Sequence, residues 1–217
     1  PLPARGEKVV SELCRGLRGL GWQALPLPDA ASQWLQRVRW CGAQNLAGDF
    51  PDYSEQVLMA TLENWLGPYL TQVSRRSQLA QVDWLTALQS RLDYSQLQTL
   101  DKLAPTHLNV PTGSRIELDY SGEQPVLAVR LQELFGASET PRIANGKIPV
   151  LLHLLSPARR PLAVTQDLAS FWHNAYKDVR KDMRGQYPKH YWPENPLEAE
   201  PTRRTKAADD RARKREN

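Results

Sequence analysis

Residues 149–196 read PVLLHLLSPARRPLAVTQDLASFWHNAYKDVRKDMRGQYPKHYWPENP and carry the pattern that decides the fold. The nearly continuous apolar run over 148–155 predicts a buried strand, and the turn SPARRP leads into a last short strand over 162–165. A cap at Thr165 or Asp167 then opens an amphipathic helix, which Gly185 terminates. The stretch therefore predicts a strand, a hairpin turn and a helix that covers them.

Strand patterns continue upstream as far as Thr106. Apolar side chains at 116, 118 and 120 alternate with acidic ones, and 126–131 forms a second strand across the turn at 121–124. A tight turn is predicted at Asn145-Gly146, just before the buried strand. We expect a small, mostly antiparallel sheet over 106–165, with the helix from Asp167 to Arg184 on one side of it.

The first hundred residues carry helical patterns instead. Apolar residues at helical spacing predict helices at Glu7 to Leu20, at Asp29 to Ala43, after a cap at Ser54, at Gln78 to Leu92, and in a short segment before Pro105. The predicted fold class is α+β. A helical subdomain (1–105) packs on a β-rich subdomain (106–196), and 197–217 follow as a disordered basic tail.

Charge is distributed unevenly along the chain. The chain has a net charge of +4, 41% hydrophobic residues and seven Trp, which is typical of a globular protein. Lys and Arg outnumber Asp and Glu by seven to three both in 157–189 and in 202–217. The rest of the chain is therefore net acidic. A basic C-terminal third on an acidic body suits a polyanion or an acidic protein partner.

The two cysteines, Cys14 and Cys41, do not form a disulfide framework or a zinc pattern. Both fall among apolar neighbours in predicted helices, so we expect inert core thiols and a reducing, cytoplasmic compartment. No apolar run approaches the roughly 20 residues that a membrane span needs. The first residues, PLPARGEKVV, do not resemble a signal peptide and suggest a cut inside a longer protein.

Catalytic motifs are missing from the sequence. It contains no phosphate-binding loop, no H-E-x-x-H and no G-x-S-x-G. The four histidines, at 107, 153, 173 and 190, are far apart along the chain. We therefore predict no catalytic residue and no metal ligand. A hydrolase that uses His173 or His190 stays open as an alternative, and it would need a second group within hydrogen-bond reach.

The basic side of the C-terminal helix is the stronger candidate site. The residues proposed to contact nucleic acid are Arg159, Arg160, Lys177, Arg180, Lys181, Arg184 and Lys189. The aromatic residues proposed for stacking or docking are Trp172, Tyr187, Tyr191 and Trp192. Two plainer interpretations stay open. The cations can be a solvated helix side that pairs with Asp178 and Asp182, and the aromatic residues can pin the last segment to the core.

Several of these segments resemble one known family. PTHLNVPTGSRIELDYSG, VLAVRLQELFG, IPVLLHLLSPARRPLAVTQDLASFW and RGQYPKHYWPENP closely resemble the C-terminal region of bacterial HrpB-type ATP-dependent RNA helicases, which are DEAH-box relatives. RVRW at 37–40 and FPD at 50–52 also fit, and the likeness runs from about Glu7 to Pro196. The basic tail is outside it.

The resemblance implies a parent with two RecA-like motor domains that bind ATP and Mg²⁺. Their phosphate loop, D-E-x-H box and arginine-bearing motif have no counterpart here, so no catalytic residue is carried over. The resemblance thus implies a C-terminal accessory domain without a cofactor or ATPase activity of its own. Its expected partners are the motor domains and RNA, with a further protein as the alternative. Contact with RNA and docking on protein are both compatible with the family.

Overall fold

The computed structural model of the protein describes residues 5–46 and 48–216. The chain divides into two compact units, Pro1–Ala104 and Pro105–Asn217. The division falls at a proline, where the preceding residue avoids helical geometry and the last helix of the first unit has already ended. Within the described part of the chain, no helix is both long and apolar enough to cross a membrane.

The first unit is helical. Its α-helices are α1 (Arg5–Leu20), α2 (Asp29–Ala43), α3 (Glu55–Ala60), α4 (Leu62–Trp65), α5 (Trp84–Gln89) and α6 (Tyr94–Leu103). Short 3₁₀ helices lie at Trp22–Ala24, Gly67–Tyr69 and Arg76–Gln81. The helices predicted near the two ends of this unit are confirmed.

The prediction of a single helix over 78–92 is wrong, because a local side-chain hydrogen bond interrupts it. Asp83 interrupts it by accepting a hydrogen bond from Thr86 N at 3.0 Å, which makes Asp83 the N-cap of α5. A short polar side chain competes in this way for backbone donors that a continuous helix would use. The helix after Ser54 is divided similarly at Thr61, whose hydroxyl donates to Val57 O at 2.8 Å.

Large aromatic side chains fill the first unit. Trp65 and Trp84 are 2% and 1% exposed, with ring centroids 6.4 Å apart. Their indole nitrogens donate to Leu58 O and Leu79 O, both at 2.9 Å. Because a buried N–H without a partner costs free energy, these bonds allow the large rings to occupy the interior.

The two arginines of RVRW tie α2 to segments that are distant in sequence. Arg37 is 6% exposed and donates to Ala104 O at 2.8 Å. Arg39 donates to Tyr53 O, also at 2.8 Å. Cys41, in the same helix, is fully buried, and burial raises the pKa of its thiol to about 11. Cys14 on α1 is also fully buried, and burial raises the pKa of its thiol to about 11, so the predicted core position of both thiols is confirmed.

The second unit contains the strands and the remaining helices. The strands are β1 (His107–Asn109), β2 (Arg115–Asp119), β3 (Val126–Arg130), β4 (Arg142–Ile143), β5 (Ile148–Pro149), β6 (Leu151–Leu155) and β7 (Pro161–Thr165). The helices are α7 (Leu168–Asn174), α8 (Tyr176–Gln186) and α9 (Lys206–Glu216). The main sheet has the order β1-β2-β3-β6-β7, and β4 pairs with β5 alone.

The sheet is mixed but mostly antiparallel, and the predicted α+β class is confirmed. Only the β3–β6 pair of the five-stranded sheet is parallel. A parallel pair needs a crossover connection, which here consists of a 3₁₀ turn over Leu131–Leu134 and the β4–β5 hairpin. Asn145 and Gly146 have φ angles of 55° and 78° in that hairpin, so the predicted tight turn is confirmed.

One face of the main sheet is buried. The register places Leu118 beside Leu127, Leu127 beside Leu152, and Val129 beside Leu154, and all of these are at most 5% exposed. The same core contains side chains of α7 and α8, namely Leu168, Phe171, Trp172, Tyr176 and Met183. The predicted amphipathic helix thus exists, although Ala175 divides it into two.

The C-terminal segment differs from the sequence-based prediction of disorder. Residues 206–216 form α9, which has Asp209 in its first turn and Arg213, Lys214 and Arg215 in its last turn. That order of charge favours a helix because acidic groups stabilise the N-terminal end and basic groups the C-terminal end. The segment is also hydrogen-bonded to the rest of the unit, as described below.

Candidate nucleic-acid interface

Helix α8 has a charged side and a buried side. Lys177, Lys181 and Arg184 lie at helical spacing and are exposed. We call these three residues the basic face. On the opposite side, Tyr176 and Met183 are 2% and 3% exposed. No ion pair joins the basic face to any other described residue, so its three charges are directed to solvent.

Arg180 has a different environment from the basic face. Its Nε donates to Trp192 O at 3.0 Å, and its Nη2 lies 3.5 Å from Glu194 Oε1. The side chain is 21% exposed. One helical turn earlier, Tyr176 donates to Pro193 O at 2.8 Å. Arg180 therefore holds the segment after α8 against the helix, and its guanidinium is less available to a ligand than the heads of the basic face.

Arg159 and Arg160 lie on an exposed turn between β6 and β7. The turn is closed by two backbone hydrogen bonds of 2.8 Å, from Arg159 N to Ser156 O and from Ser156 N to Arg160 O. Arg159 has φ of 62°, in the left-handed region that few non-glycine residues adopt. Both side chains are exposed. We call 156–160 the Arg-Arg turn.

A hydroxyl pair connects the Arg-Arg turn to the end of α8. Ser156 is 1% exposed, and its Oγ lies 3.3 Å from Tyr187 Oη. Tyr187 follows α8 directly, and its backbone N–H donates to Met183 O at 2.7 Å. The residue that follows α8 is thus in contact with the first residue of the Arg-Arg turn.

Two of the four aromatic candidates are buried and donate hydrogen bonds to backbone carbonyls. Trp172 and Trp192 are 6% and 5% exposed, and their indoles donate to Ala137 O at 2.8 Å and Tyr187 O at 3.0 Å. Burial and hydrogen bonding remove both indoles from the stacking candidates. Tyr187 is half-buried, whereas Tyr191 is 46% exposed. Tyr191 is the candidate ring that a base or partner can reach most easily.

His190 occupies the turn after Tyr187. Its Nδ1 lies 3.3 Å from Gln132 Nε2, and its ring stands edge-on to Tyr187 with centroids 6.4 Å apart. Burial lowers the pKa of His190, and the charge of Arg130 acts in the same direction. A hydrogen bond to the backbone of Arg204 and the charge of Asp209 act in the opposite direction.

Lys189 is exposed and belongs to a contact that the sequence analysis missed. Its carbonyl accepts a hydrogen bond from Lys206 N at 2.9 Å, so α9 begins beside it. Thr202 N donates to Gln132 O at 3.0 Å in the same region. The helix signal of α9, acidic at its start and basic at its end, is present in the sequence and could have indicated this element.

In the described ranges, no group of three or more His, Cys, Asp or Glu side chains is arranged to hold a metal ion. His173 is exposed on α7, and the hydrogen-bonding partners of His190 are an amide and a backbone group. The arrangement has positive charge and exposed donors, which suit binding to an anionic ligand.

Comparison with known proteins gives a consistent family. A family model described as ATP-dependent helicase C-terminal (HrpB type) matches residues 65–196. The chain is 44% identical over 202 residues to the ATP-dependent RNA helicase HrpB of Escherichia coli (strain K12), covering 92% of this chain and 25% of that relative. The resemblance noted from the sequence is confirmed.

Two solved structures are also similar. The crystal structure of the E. coli DExH-box NTPase HrpB matches with a TM-score of 0.86 and 41% identity, covering 94% of this chain and 25% of that one. A crystal structure of the E. coli DEAH/RHA helicase HrpB matches with a TM-score of 0.73 and 39% identity, covering 88% and 24%. The chain therefore spans about a quarter of the length of the relatives it matches.

Arg180 and its neighbour Lys181 allow the structural and the binding roles of α8 to be separated. Arg180→Met removes the donor to Trp192 O, and we expect it to lower the free energy of unfolding by about 1–3 kcal/mol. Lys181→Met removes the same charge from an exposed site and should change the free energy of unfolding by less than about 0.5 kcal/mol. Urea denaturation followed by circular dichroism measures both. Equal effects of the two substitutions would contradict the role given to Arg180.

His190 makes the stability of the second unit depend on pH. The folded state holds the ring neutral because its pKa is lowered by burial, whereas the unfolded ring takes up a proton near its ordinary pKa of about 6.5. The stabilising effect is complete above that value and is lost as pH falls through the folded pKa. We expect His190→Gln to flatten the fall in stability between about pH 7 and pH 5. An NMR titration that places the pKa of His190 above about 6.5 would contradict this.

Proposed function

Because the chain belongs to the HrpB-type ATP-dependent helicase C-terminal family, we propose that it is an accessory domain of an ATP-dependent RNA helicase and contacts RNA through its second unit. The proposed contact residues are the basic face of α8, the Arg-Arg turn and Lys189. Binding of ATP and Mg²⁺ is assigned to motor domains elsewhere in the parent protein, which we place in the cytoplasm. The chain itself is proposed to hydrolyse no ATP.

The proposal depends on the exposure of the basic face and on its lack of ion pairs with described residues. Three cations at consecutive turns of one helix are exposed and make no ion pair with a described residue. Arg184 lies in the last turn of α8, where a cation stabilises the helix, but Lys177 lies in the first turn, where a cation does not. A row of exposed cations on one side of a helix can instead contact successive phosphates of a strand.

The relatives make RNA the favoured polyanion. The curated relative is named an ATP-dependent RNA helicase, and this chain is similar to a quarter of it. A domain that follows a motor can hold the strand on which the motor acts, and this role needs phosphate contacts more than base contacts. The binding is therefore expected to depend weakly on sequence and strongly on salt.

Charge reversal on the basic face tests the proposal. Lys177→Glu, Lys181→Glu and Arg184→Glu together should weaken binding to a single-stranded RNA about tenfold or more at low salt, because three phosphate contacts are lost. The slope of log affinity against log salt should fall in magnitude by about 2. Fluorescence anisotropy at several salt concentrations measures both quantities.

A matched variant separates this effect from net charge. Lys8, Lys102 and Lys147 are exposed, lie outside the proposed surface, and give the same change of charge when all three become Glu. We expect this control to keep at least half of the wild-type affinity at physiological salt, because none of these residues makes a proposed phosphate contact. Equal losses in the two triple variants would refute a localised RNA site.

Protein docking is the second candidate, and one observation favours it. A groove of about 630 Å³ lies on α1 in the first unit. Apolar side chains dominate it, including Val9 at 45% exposed and Leu20 at 49% exposed. Exposed apolar surface of this kind marks interaction sites. We propose the motor-bearing part of the parent helicase as its occupant, because the relative extends well beyond the 25% that this chain matches.

Hydrogen exchange on α1 tests the docking candidate. The amides of α1 should exchange more slowly in the full-length parent than in this chain alone, because docking would cover the groove. Amides of α6, whose Tyr94 is 76% exposed, provide an internal comparison on a different helix. Identical exchange of α1 in the two proteins would exclude the motor domains as the occupant of the groove.

A further inference from the structure

We propose that the C-terminal arm, residues 197–216, is a fixed part of the RNA-binding surface and not a flexible tail. The arm would hold the cations of α9 in place beside Lys189 and the Arg-Arg turn, so that one RNA strand contacts all three. This inference rests on the proposed RNA contact and adds a second element to it. The arm lies beyond residues 65–196, so the family model does not cover it.

The approach to the arm is fixed at Gly136. Gly136 N donates to Pro196 O at 2.8 Å, just before the arm begins. The φ of Gly136 is 83°, and a Cβ there would lie 3.3 Å from Ala199 O. Only glycine combines this backbone conformation with so close an approach of another chain segment. The glycine thus provides the space through which the arm passes.

Further contacts hold the arm where α9 begins. Thr202 is 8% exposed, its N–H donates to Gln132 O at 3.0 Å, and its hydroxyl donates to Asp209 Oδ2 at 2.7 Å. Lys206 N donates to Lys189 O at 2.9 Å. These bonds lie on both sides of the last turn before α9, so they determine where the helix starts.

The residues that hold the arm are connected to the Arg-Arg turn through His190 and Tyr187. Gln132 bonds Thr202 through its carbonyl and contacts His190 through its side chain. His190 N donates to Tyr187 O at 3.1 Å, and Tyr187 Oη lies 3.3 Å from Ser156 Oγ. A continuous set of contacts therefore leads from the start of α9 to the Arg-Arg turn. In the proposed site, the arm and the turn are connected through these contacts and contribute to one surface.

The arm adds positive charge to that surface. Residues 202–216 contain seven Lys or Arg and three Asp or Glu. Part of this charge is used internally, because Arg213 pairs with Glu200 and Asp209 accepts from Thr202. The other cations are exposed and make no ion pair with a described residue; they are Arg203, Arg204, Lys206, Arg211, Lys214 and Arg215.

A half-buried arginine adds positive potential beside the anchor points of the arm. Arg130 lies at the end of β3, and its charge is close enough to lower the pKa of His190. A charge in this position contributes to the field that an anionic ligand meets at the surface.

RNA fits this surface better than a protein segment does. Protein interfaces usually have a core of apolar side chains surrounded by a polar rim. Here the exposed large apolar side chains of the second unit are Val164 at 60%, Tyr191 at 46% and Leu197 at 38%, among those described. They come from three different segments, and the exposed cations outnumber them. A surface in which cations predominate suits a phosphate backbone.

The test releases the arm while keeping every charge. In the full chain, Gly136→Ala strains the backbone and crowds Ala199 O, and Thr202→Val removes the hydroxyl that bonds Asp209. Gly122→Ala is the matched control, because its Cβ would meet nothing closer than Gln124 O at 3.9 Å. Trypsin cleavage after the arginines of the arm reports release. Anisotropy with a single-stranded RNA reports affinity and salt slope.

We expect either release variant to weaken RNA binding about fivefold or more and to reduce the salt slope, because the cations of α9 are no longer held in place. Gly122→Ala should bind as the wild type does. If Gly136→Ala does not fold, Thr202→Val gives the answer alone. Unchanged affinity after proven release of the arm would overturn the inference, since a flexible basic tail would then suffice.

The outcomes separate this inference from the proposed function. If the wild type does not bind RNA, both fail. If reversal of the basic face weakens binding but release of the arm does not, only the present inference fails. If poly-glutamate displaces RNA at equal charge concentration, the arm is a site for acidic protein segments. That result would also overturn the present inference.

Discussion

Side-chain donors that satisfy backbone carbonyls in irregular segments hold this protein together. With 17 Pro among 217 residues, many segments cannot use a helix or a sheet for their carbonyl groups. Aromatic and arginine side chains donate to those groups instead. Examples in the two units are Arg37 to Ala104 O, Tyr53 to Leu88 O, Trp172 to Ala137 O, Tyr176 to Pro193 O, Arg180 to Trp192 O and Trp192 to Tyr187 O. Each bond fixes a segment that would otherwise be free to move.

The same interaction decides which residues remain available for function. A side chain whose donor is used by the fold, such as that of Arg180, is held in one position and is partly shielded. Lys177, Lys181 and Arg184 make no such bond to a described residue, and their charges remain on the surface. Residue type alone does not distinguish these two groups, because both lie on one helix with similar spacing. The candidate interface consists of the cations that the fold does not use.

Residue patterns predicted most of the fold because they reflect burial of one face. Helical spacing located α1, α2 and α6, and alternation located β2 and β3. The break at Asp83 depends on one side-chain bond, and the parallel pairing of β3 with β6 depends on contacts distant in sequence. Neither leaves a periodic signal. Within the site, the clustering of cations was visible in the sequence, whereas the burial of Trp172 and Trp192 became clear only once their carbonyl partners were known.

Composition was least informative for the C-terminal arm. A segment with few apolar residues cannot offset the entropy of ordering by burying its own surface. The arm uses backbone bonds to Gln132 and Lys189, and the residue before it is bonded to Gly136. The rest of the unit already holds these groups in place. The charge order of α9 favours a helix, but the position of the arm depends on these bonds to the rest of the unit. A strand of RNA that meets this surface would encounter cations whose positions are already set, so less of the binding free energy is spent on ordering them.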